Sequence, residues 1–296
     1  MRQWTLQRVF GAALVLLPAV VIADATHGGL EASSLTLVRT NSFGAAEDLR
    51  LGMRVPLGDP RWSYLLPQLQ LAASPANLQL GAGLVVGVVR GLSFTLAYAP
   101  RFNFAGRYGF QSFASPRDDY RDQVLHDRAD AGLTYTAWQH RFVLELDLGI
   151  PIGPLVLHDT ARLVRQAATL RDGDTVFYDF QLDILVPAHG WTLENAAELL
   201  WLPDEHWGLG LRYLLVQAWY PDSAYRPGEP HDDPNGPMMR LGPKVAYVFH
   251  QRGCGAFDAP TLFVDVGWWL RHRYRTGEDV SGAIPTVIAG FAFQIF

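Results

Sequence analysis

The chain has 296 residues, enough for one large core or two ordinary ones, and its net charge of −5 with a pI near 6.0 excludes the basic surface that a nucleic-acid partner needs. Charged residues are 18% of the chain against 49% hydrophobic, and nine Trp with eleven Tyr are many for a soluble domain of this size. Such a composition calls for aromatic, half-apolar surface.

The first elements fix the compartment. Arg2 and Arg8 precede an apolar run from Val9 to Ala23, followed by the small-residue pattern Ala23-Asp24-Ala25. This predicts a cleavable secretory signal peptide over residues 1–25, with a single domain over residues 26–296. At about 15 residues the run is short for a spanning helix, which needs roughly 20. The only cysteine, Cys254, lies too far downstream for a lipid anchor and cannot make an internal disulfide. It is read as a turn residue, and an exported chain without a disulfide framework must be held by backbone pairing or a large core.

Beyond residue 26 no apolar run is long enough to span a bilayer as a helix, and the dominant period is two. Strand candidates in chain order are Ser33 to Asn41, Glu47 to Leu57, Trp62 to Ala73, Asn77 to Val88, Leu92 to Phe104 and Ala129 to Trp138. Arg141 to Ile150 is the clearest. It sets Phe142, Leu144, Leu146, Leu148 and Ile150 against Arg141, Val143, Glu145, Asp147 and Gly149. Leu155 to Thr169 reads as strand or helix. Alternation returns in Thr175 to Val186, Trp191 to Trp201, Trp207 to Leu215, Met238 to His250, Leu262 to Arg275 and Val287 to Phe296. Twelve to fourteen antiparallel strands are expected, in line with the even number of single-chain barrels.

Connections sort into short joins, at Gln139-His140, Pro187 to Gly190 and Pro203 to His206, and two long polar loops, 105–128 and 221–237. If both long loops leave the same side, an even number of strands separates them. That favours a strand at Leu155 to Thr169 and a total of fourteen, unless two neighbouring candidates are one.

Alternation alone does not say which face is inside, and a secreted β-sandwich or lipocalin-like barrel also alternates. Three features point toward lipid. Trp191, Trp201, Trp207, Trp219 and Tyr220 gather near strand ends, where interfacial aromatic girdles lie. Many strands match the roughly 9–11 residues of a tilted spanning strand. The last strand is apolar to its end.

In these residues the chain resembles the outer-membrane β-barrel proteins of Gram-negative bacteria. The resemblance implies a transmembrane antiparallel barrel in contact with outer-membrane lipid. It also implies a terminal strand, with Phe291, Phe293, Ile295 and Phe296 as its signal, that is recognised by the barrel-assembly machinery. Phe296 departs from the usual pattern: Gln294 and Ala292 share its parity, while Phe291, Phe293 and Ile295 take the other.

With the apolar face in lipid, the lumen receives acids Glu145, Asp147, Asp179, Asp183, Glu194 and Glu198 from one set of strands. It receives bases Arg50, Arg54, Arg212, Arg240, Lys244, Arg271 and Arg273 from the others. Acid and base on opposing walls would create a transverse field that orients polar solutes; alternatively they pair across a narrow lumen and close it. The expected function is a passive channel for small polar solutes, without cofactor or metal. The alternatives are a non-conducting barrel acting through loops 105–128 and 221–237, and a lipid hydrolase or acyltransferase. For the enzyme the sequence offers only His158-Asp159-Thr160, with the weaker Thr nucleophile. Glu229, Asp232, Asp233 and Asn235 are hard oxygen ligands without regular calcium-loop spacing, and read as a solvated loop. Gly81, Gly83 and Gly87 mark strand curvature rather than a nucleotide loop.

Overall fold

A computed structural model describes residues 29–40, 44–59, 63–106, 109–249 and 258–295, apart from the side chains of Asp258 and Ile295. The expected signal peptide, Cys254 and Phe296 lie outside the described residues, as does the side chain of Ile295.

The strands close into one antiparallel ring. β1 (Gly29–Arg39), β2 (Gly44–Pro56), β3 (Tyr64–Ala73) and β4 (Asn77–Val89) follow as hairpins. β5 (Leu92–Tyr98) and β6 (Arg101–Asn103) both lie between β4 and β8 (Ala137–Ile152), so they form one strand broken at Ala99-Pro100. β8 pairs with β9 (Leu155–Ala168), β9 with β12 (His189–Trp201), and β12 with β13 (Trp207–Trp219). β14 (Met238–Val248), β15 (Asp258–Arg271) and β16 (Thr286–Ile295) complete the wall. β16 then pairs with β1 from Ala32↔Ile295 to Arg39↔Ile288. Counting β5 and β6 once, the barrel has twelve strands.

Two expectations fail in reaching twelve rather than fourteen. Ala129 to Trp138 is not a separate strand: Ala129 lies in the last turn of helix α1 (Asp122–Asp130), and Trp138 belongs to β8, which runs straight through the expected join at Gln139-His140. Thr175 to Val186 is not a wall strand. It breaks into β10 (Val176–Asp179) and β11 (Ile184–Pro187), a hairpin that pairs with β7 (Ser112–Phe113) in a three-stranded sheet of its own. The ambiguous Leu155 to Thr169 is a wall strand. Four strands, β8, β9, β12 and β13, separate the long loops.

Chain direction therefore puts segments 104–136, 169–188, 220–237 and 272–285 at one end, termed the outer mouth. The links 90–91, 153–154 and 202–206 lie at the other, with the strand ends at Pro56, Tyr64, Val248 and Asp258. Expected loop 105–128 is structured, with β7 and α1 inside it.

Burial shows which face is inside. Leu49, Leu51 and Met53 of β2, Phe142 and Leu144 of β8, and Leu262 and Leu270 of β15 are exposed on the outer face, whereas Asp48, Arg141 and Asp265 between them are buried. Trp191 and Trp201 are exposed at the two ends of β12, ten residues apart. At about 3.3 Å per residue and a tilt of about 40° they bound a band about 25 Å tall, the height of a barrel's lipid-facing belt. Trp207 and Trp219 repeat the arrangement on β13. Tyr220, expected in the girdle, instead turns inward and its hydroxyl donates to the Leu185 carbonyl.

The seam is packed from within by Leu35, Leu37, Phe263, Ile288 and Ala292. Farther round, Gly242 sits where a Cβ would collide with the Val266 carbonyl oxygen of the neighbouring strand. Gly242→Ala is expected to cost about 1–3 kcal/mol, read as a lowered thermal midpoint of the detergent-solubilised protein; an unchanged midpoint would contradict this packing.

Candidate functional site: a charged lumen closed by an inward hairpin

Alternation places many polar side chains inside, where they pair along their own strand, with the next strand or with the one beyond it. On β8 and β9, Arg162 Nε donates to Glu145 at 2.8 Å, and the same guanidinium lies 3.5 Å from Glu194 on β12. Arg141 lies 3.5 Å from Glu194 and donates to Gln79 at 3.0 Å. His158 Nε2 is 2.9 Å from Asp147, and Thr160 donates to the same carboxylate at 3.0 Å. Glu198 accepts from Lys244 at 2.7 Å and lies 3.4 Å from Arg212. Asp265 takes Arg240 at 2.9 Å and Arg212 at 3.3 Å. Arg50 pairs with Asp48 at 3.2 Å. Arg54 pairs with Glu31 and lies over the Tyr64 ring, 3.7 Å from its centroid.

Acids and bases therefore interdigitate around the wall, and the expected separation onto opposing walls is not present. A buried ion pair leaves a costly unpaired charge when one partner is removed, so opposite charges stand within reach of each other along and across the strands. Asp48, Asp265, Arg39, Arg101, Arg141 and Arg162 belong to this network but are not among the expected site residues. The signal for them is their parity, which Arg141 shares with Glu145 and Asp265 with Phe263.

Arg271 departs from expectation. The register between β14 and β15 shifts at Met239/Arg240, leaving Leu270 as an extra residue. Beyond that bulge Arg271 is exposed and His272 is buried. A bulge offsets the two-residue period by one, which no reading of alternation anticipates. Arg273 is not on the wall either: it donates to the carbonyls of Pro116, Arg117 and Asp118 and to Asn235, joining three outer segments.

Asp179 and Asp183, expected on a wall strand, sit on the β10–β11 hairpin that folds into the outer mouth. Its apolar residues Phe177, Leu182, Ile184 and Val186 pack against Leu214, Val216, Ala218, Met238 and Trp269 of the wall. Its turn is held by cationic side chains and one imidazole from the rim. Arg39 donates to the carbonyls of Phe180 and Gln181 at 2.7 and 2.9 Å. Arg101 lies 3.3 Å from Asp179 and donates to Gln181 at 2.6 Å. His272 Nε2 donates to the Asp183 carbonyl at 2.8 Å, and Arg275 joins Asp183 at 2.8 Å to Asp122 of α1 at 2.6 Å.

Below the hairpin lies a cavity of about 30 Å³ lined by Arg39, Arg141, Arg162, Glu194, Arg240 and Trp269 among others, room for about two waters. Arg141 Nε, Glu194 Oε1 and Trp269 Nε1, on residues that line it, have no hydrogen-bond partner among the described residues. Toward the inner end the lumen opens on the β2 to β8 side. Asp48 is 2% exposed but Arg50 26%, and Asp147, farther down β8 than the fully buried Gln139, reaches 24%.

The other sequence candidates resolve plainly. His158 and Thr160 face the lumen and converge on Asp147, while Asp159 between them faces outward; no Thr–His pair meets the outer face. Glu229 accepts from Ser115 and Arg226, Asp232 pairs with Arg117, Asp233 accepts from Gln217, and Asn235 donates to Pro116. These groups tie outer loops together, and no group of three metal-ligating residues occurs among the described residues.

No protein-family model matches the chain, and no curated protein matches it. Among solved structures it is similar to an outer-membrane channel from Pseudomonas putida F1, at 11% identity and TM-score 0.46, covering 95% of this chain and 99% of that one. It is similar to the β domain of the Bordetella autotransporter Brka, at 11% identity and TM-score 0.46, covering 91% and 99%. It is also similar to the translocator domain of the autotransporter NalP from Neisseria meningitidis, at 9% identity and TM-score 0.43, covering 92% and 90%. The barrel stands on its own closed strand ladder, not on these likenesses.

Burial pushes the Asp183 carboxyl up, but Arg275, His272 and Arg39 outweigh it and hold it at about 2, against 3.8 ordinarily. A depressed carboxylate stabilises the folded latch above its ordinary value and loses that contribution as pH falls through the folded one, here about 2 kcal/mol. Hairpin packing, followed by tryptophan fluorescence with Trp269 as reporter, should hold from pH 8 to about 4 and weaken toward pH 2. Asp183→Asn should loosen it at neutral pH. A midpoint between pH 5 and 7 would instead assign the latch to an imidazole.

Proposed function

We propose that the chain is an outer-membrane β-barrel providing a passive path for small polar solutes, shut at its outer mouth by the β10–β11 hairpin. The observation that carries this is the lumen. Its inner half presents water-exposed charges, and they lead up to a hairpin whose described main-chain ladder pairs run only to itself and β7. Above its base, where the Ala168 N–H donates to the Ala188 carbonyl, the bonds given among the described residues between the hairpin and the wall strands are made by wall side chains, so it can leave without breaking the ring.

The outer-membrane placement rests on the 25 Å apolar belt between tryptophan rings and on the closed ladder, which leaves no unpaired strand edge in lipid. Export through residues 1–25 and handling of β16 by the barrel-assembly machinery are part of the same proposal. A second reading, a non-conducting barrel acting through its loops, is favoured by the ion pairs and hydrogen bonds that join 115–118, 226–235 and Arg273 into one cap.

Planar-bilayer recordings separate the two. Wild-type protein should show rare openings, and a variant with residues 176–187 replaced by a flexible linker should show steady discrete steps while keeping heat-modifiable gel migration. An intact barrel without steps in either form would refute the channel.

A further inference from the structure

We infer that the outward face of β9, β12 and β13 is the contact surface for a second copy of this chain. The inference rests on that face meeting lipid. Asp159 projects outward from β9 and accepts from Asn195 Nδ2 of β12 at 2.8 Å. Directly across the strands stand Ala197 and Ala161, opposite Asp159 and Asn195 respectively. Asn195 lies four residues from Trp191 and six from Trp201, so the Asp159–Asn195 pair sits near the middle of the apolar belt.

Toward mid-belt the other outward positions of these strands include Leu157, Leu163, Leu193, Leu199, Leu211 and Leu215, with Leu146 and Leu148 on neighbouring β8; Gln217 of β13, opposite Leu193, also faces outward and donates to Asp233 of the outer loop. Tyr213, paired with Ala197, also faces outward, and its hydroxyl makes no hydrogen bond to any described residue. Three polar side chains therefore stand on three successive strands toward mid-belt, and the Asn195 amide is the single hydrogen-bond donor to Asp159 among the described residues. Ionisable groups facing hydrocarbon are costly and mark contacts or pathways. Glu47, also outward, lies instead near the outer end of β2 and accepts from both Ser34 and Thr36.

The chemistry is self-complementary. The patch offers a carboxylate with spare lone pairs and a phenol with a spare donor, while the Asn195 amide is taken up by Asp159 and, at 3.4 Å, by the Thr160 carbonyl. Two copies related by a twofold axis along the membrane normal place Asp159 of each near Tyr213 and Asn195 of the other, an isologous contact needing no further component. Ala161 and Ala197 let the strands approach, and the leucines form an apolar rim.

The test is sedimentation of the full-length protein in mild detergent, with crosslinking in vesicles through Ala197→Cys in a Cys254→Ser background. Wild type should be a dimer, and the cysteine variant should form a disulfide-linked dimer. Asp159→Leu should weaken association by about tenfold or more and Tyr213→Phe by less, both with heat-modifiable migration intact. A monomeric wild type, association unchanged in Asp159→Leu, or a crosslink to a different protein would each overturn the proposal. Heat-modifiable migration and recovery in the membrane fraction report separately on the barrel reading.

Discussion

Every main-chain N–H and C=O in a membrane-spanning sheet must be satisfied within the sheet, so the ladder has to close. The pairing of β16 with β1, from Ala32↔Ile295 to Arg39↔Ile288, does this. Closure also decides polarity. Once the ring is shut, the period of two sorts every side chain inside or outside, and in this chain the apolar set lies outside and the charged set inside.

That sorting creates the second constraint. A twelve-stranded lumen is narrow, and charges crowded there must be matched or hydrated. The chain does both. Neighbouring strands supply opposite charges in the inner half, as in Glu145 with Arg162 and Glu198 with Arg212. In the outer half an apolar hairpin displaces water, and its carboxylates Asp179 and Asp183 meet the rim cations Arg101 and Arg275. The hairpin thus fills the mouth and neutralises it with the same residues.

Much of this was legible in alternation. The wall strands at 141–150 and 207–215, the outward tryptophans and the even number of strands between the long loops follow from periods and loop lengths. What was not legible has identifiable causes. Thr175 to Val186 alternates like a wall strand, but Asp179 accepts from the main chain of Gln181 and Leu182 and turns the chain back within the lumen. The bulge at Leu270 offsets parity, so Arg271 points out and His272 in. Opposing walls of acid and base were expected because sequence order separates them, yet register interleaves them, and register is not written in composition. His158 and Thr160 share a face, as spacing implied, but their common partner Asp147 comes from another strand.

Lumen, belt and latch all depend on which face of the wall meets water. Single cysteines replacing Asp147 or Leu146, adjacent on β8 and assigned to opposite faces, measure it when reconstituted protein is treated with a membrane-impermeant maleimide. Asp147→Cys should label from the inner side and Leu146→Cys should be protected. Labelling of Leu146→Cys with protection of Asp147→Cys would contradict the inside-out barrel on which every other assignment rests.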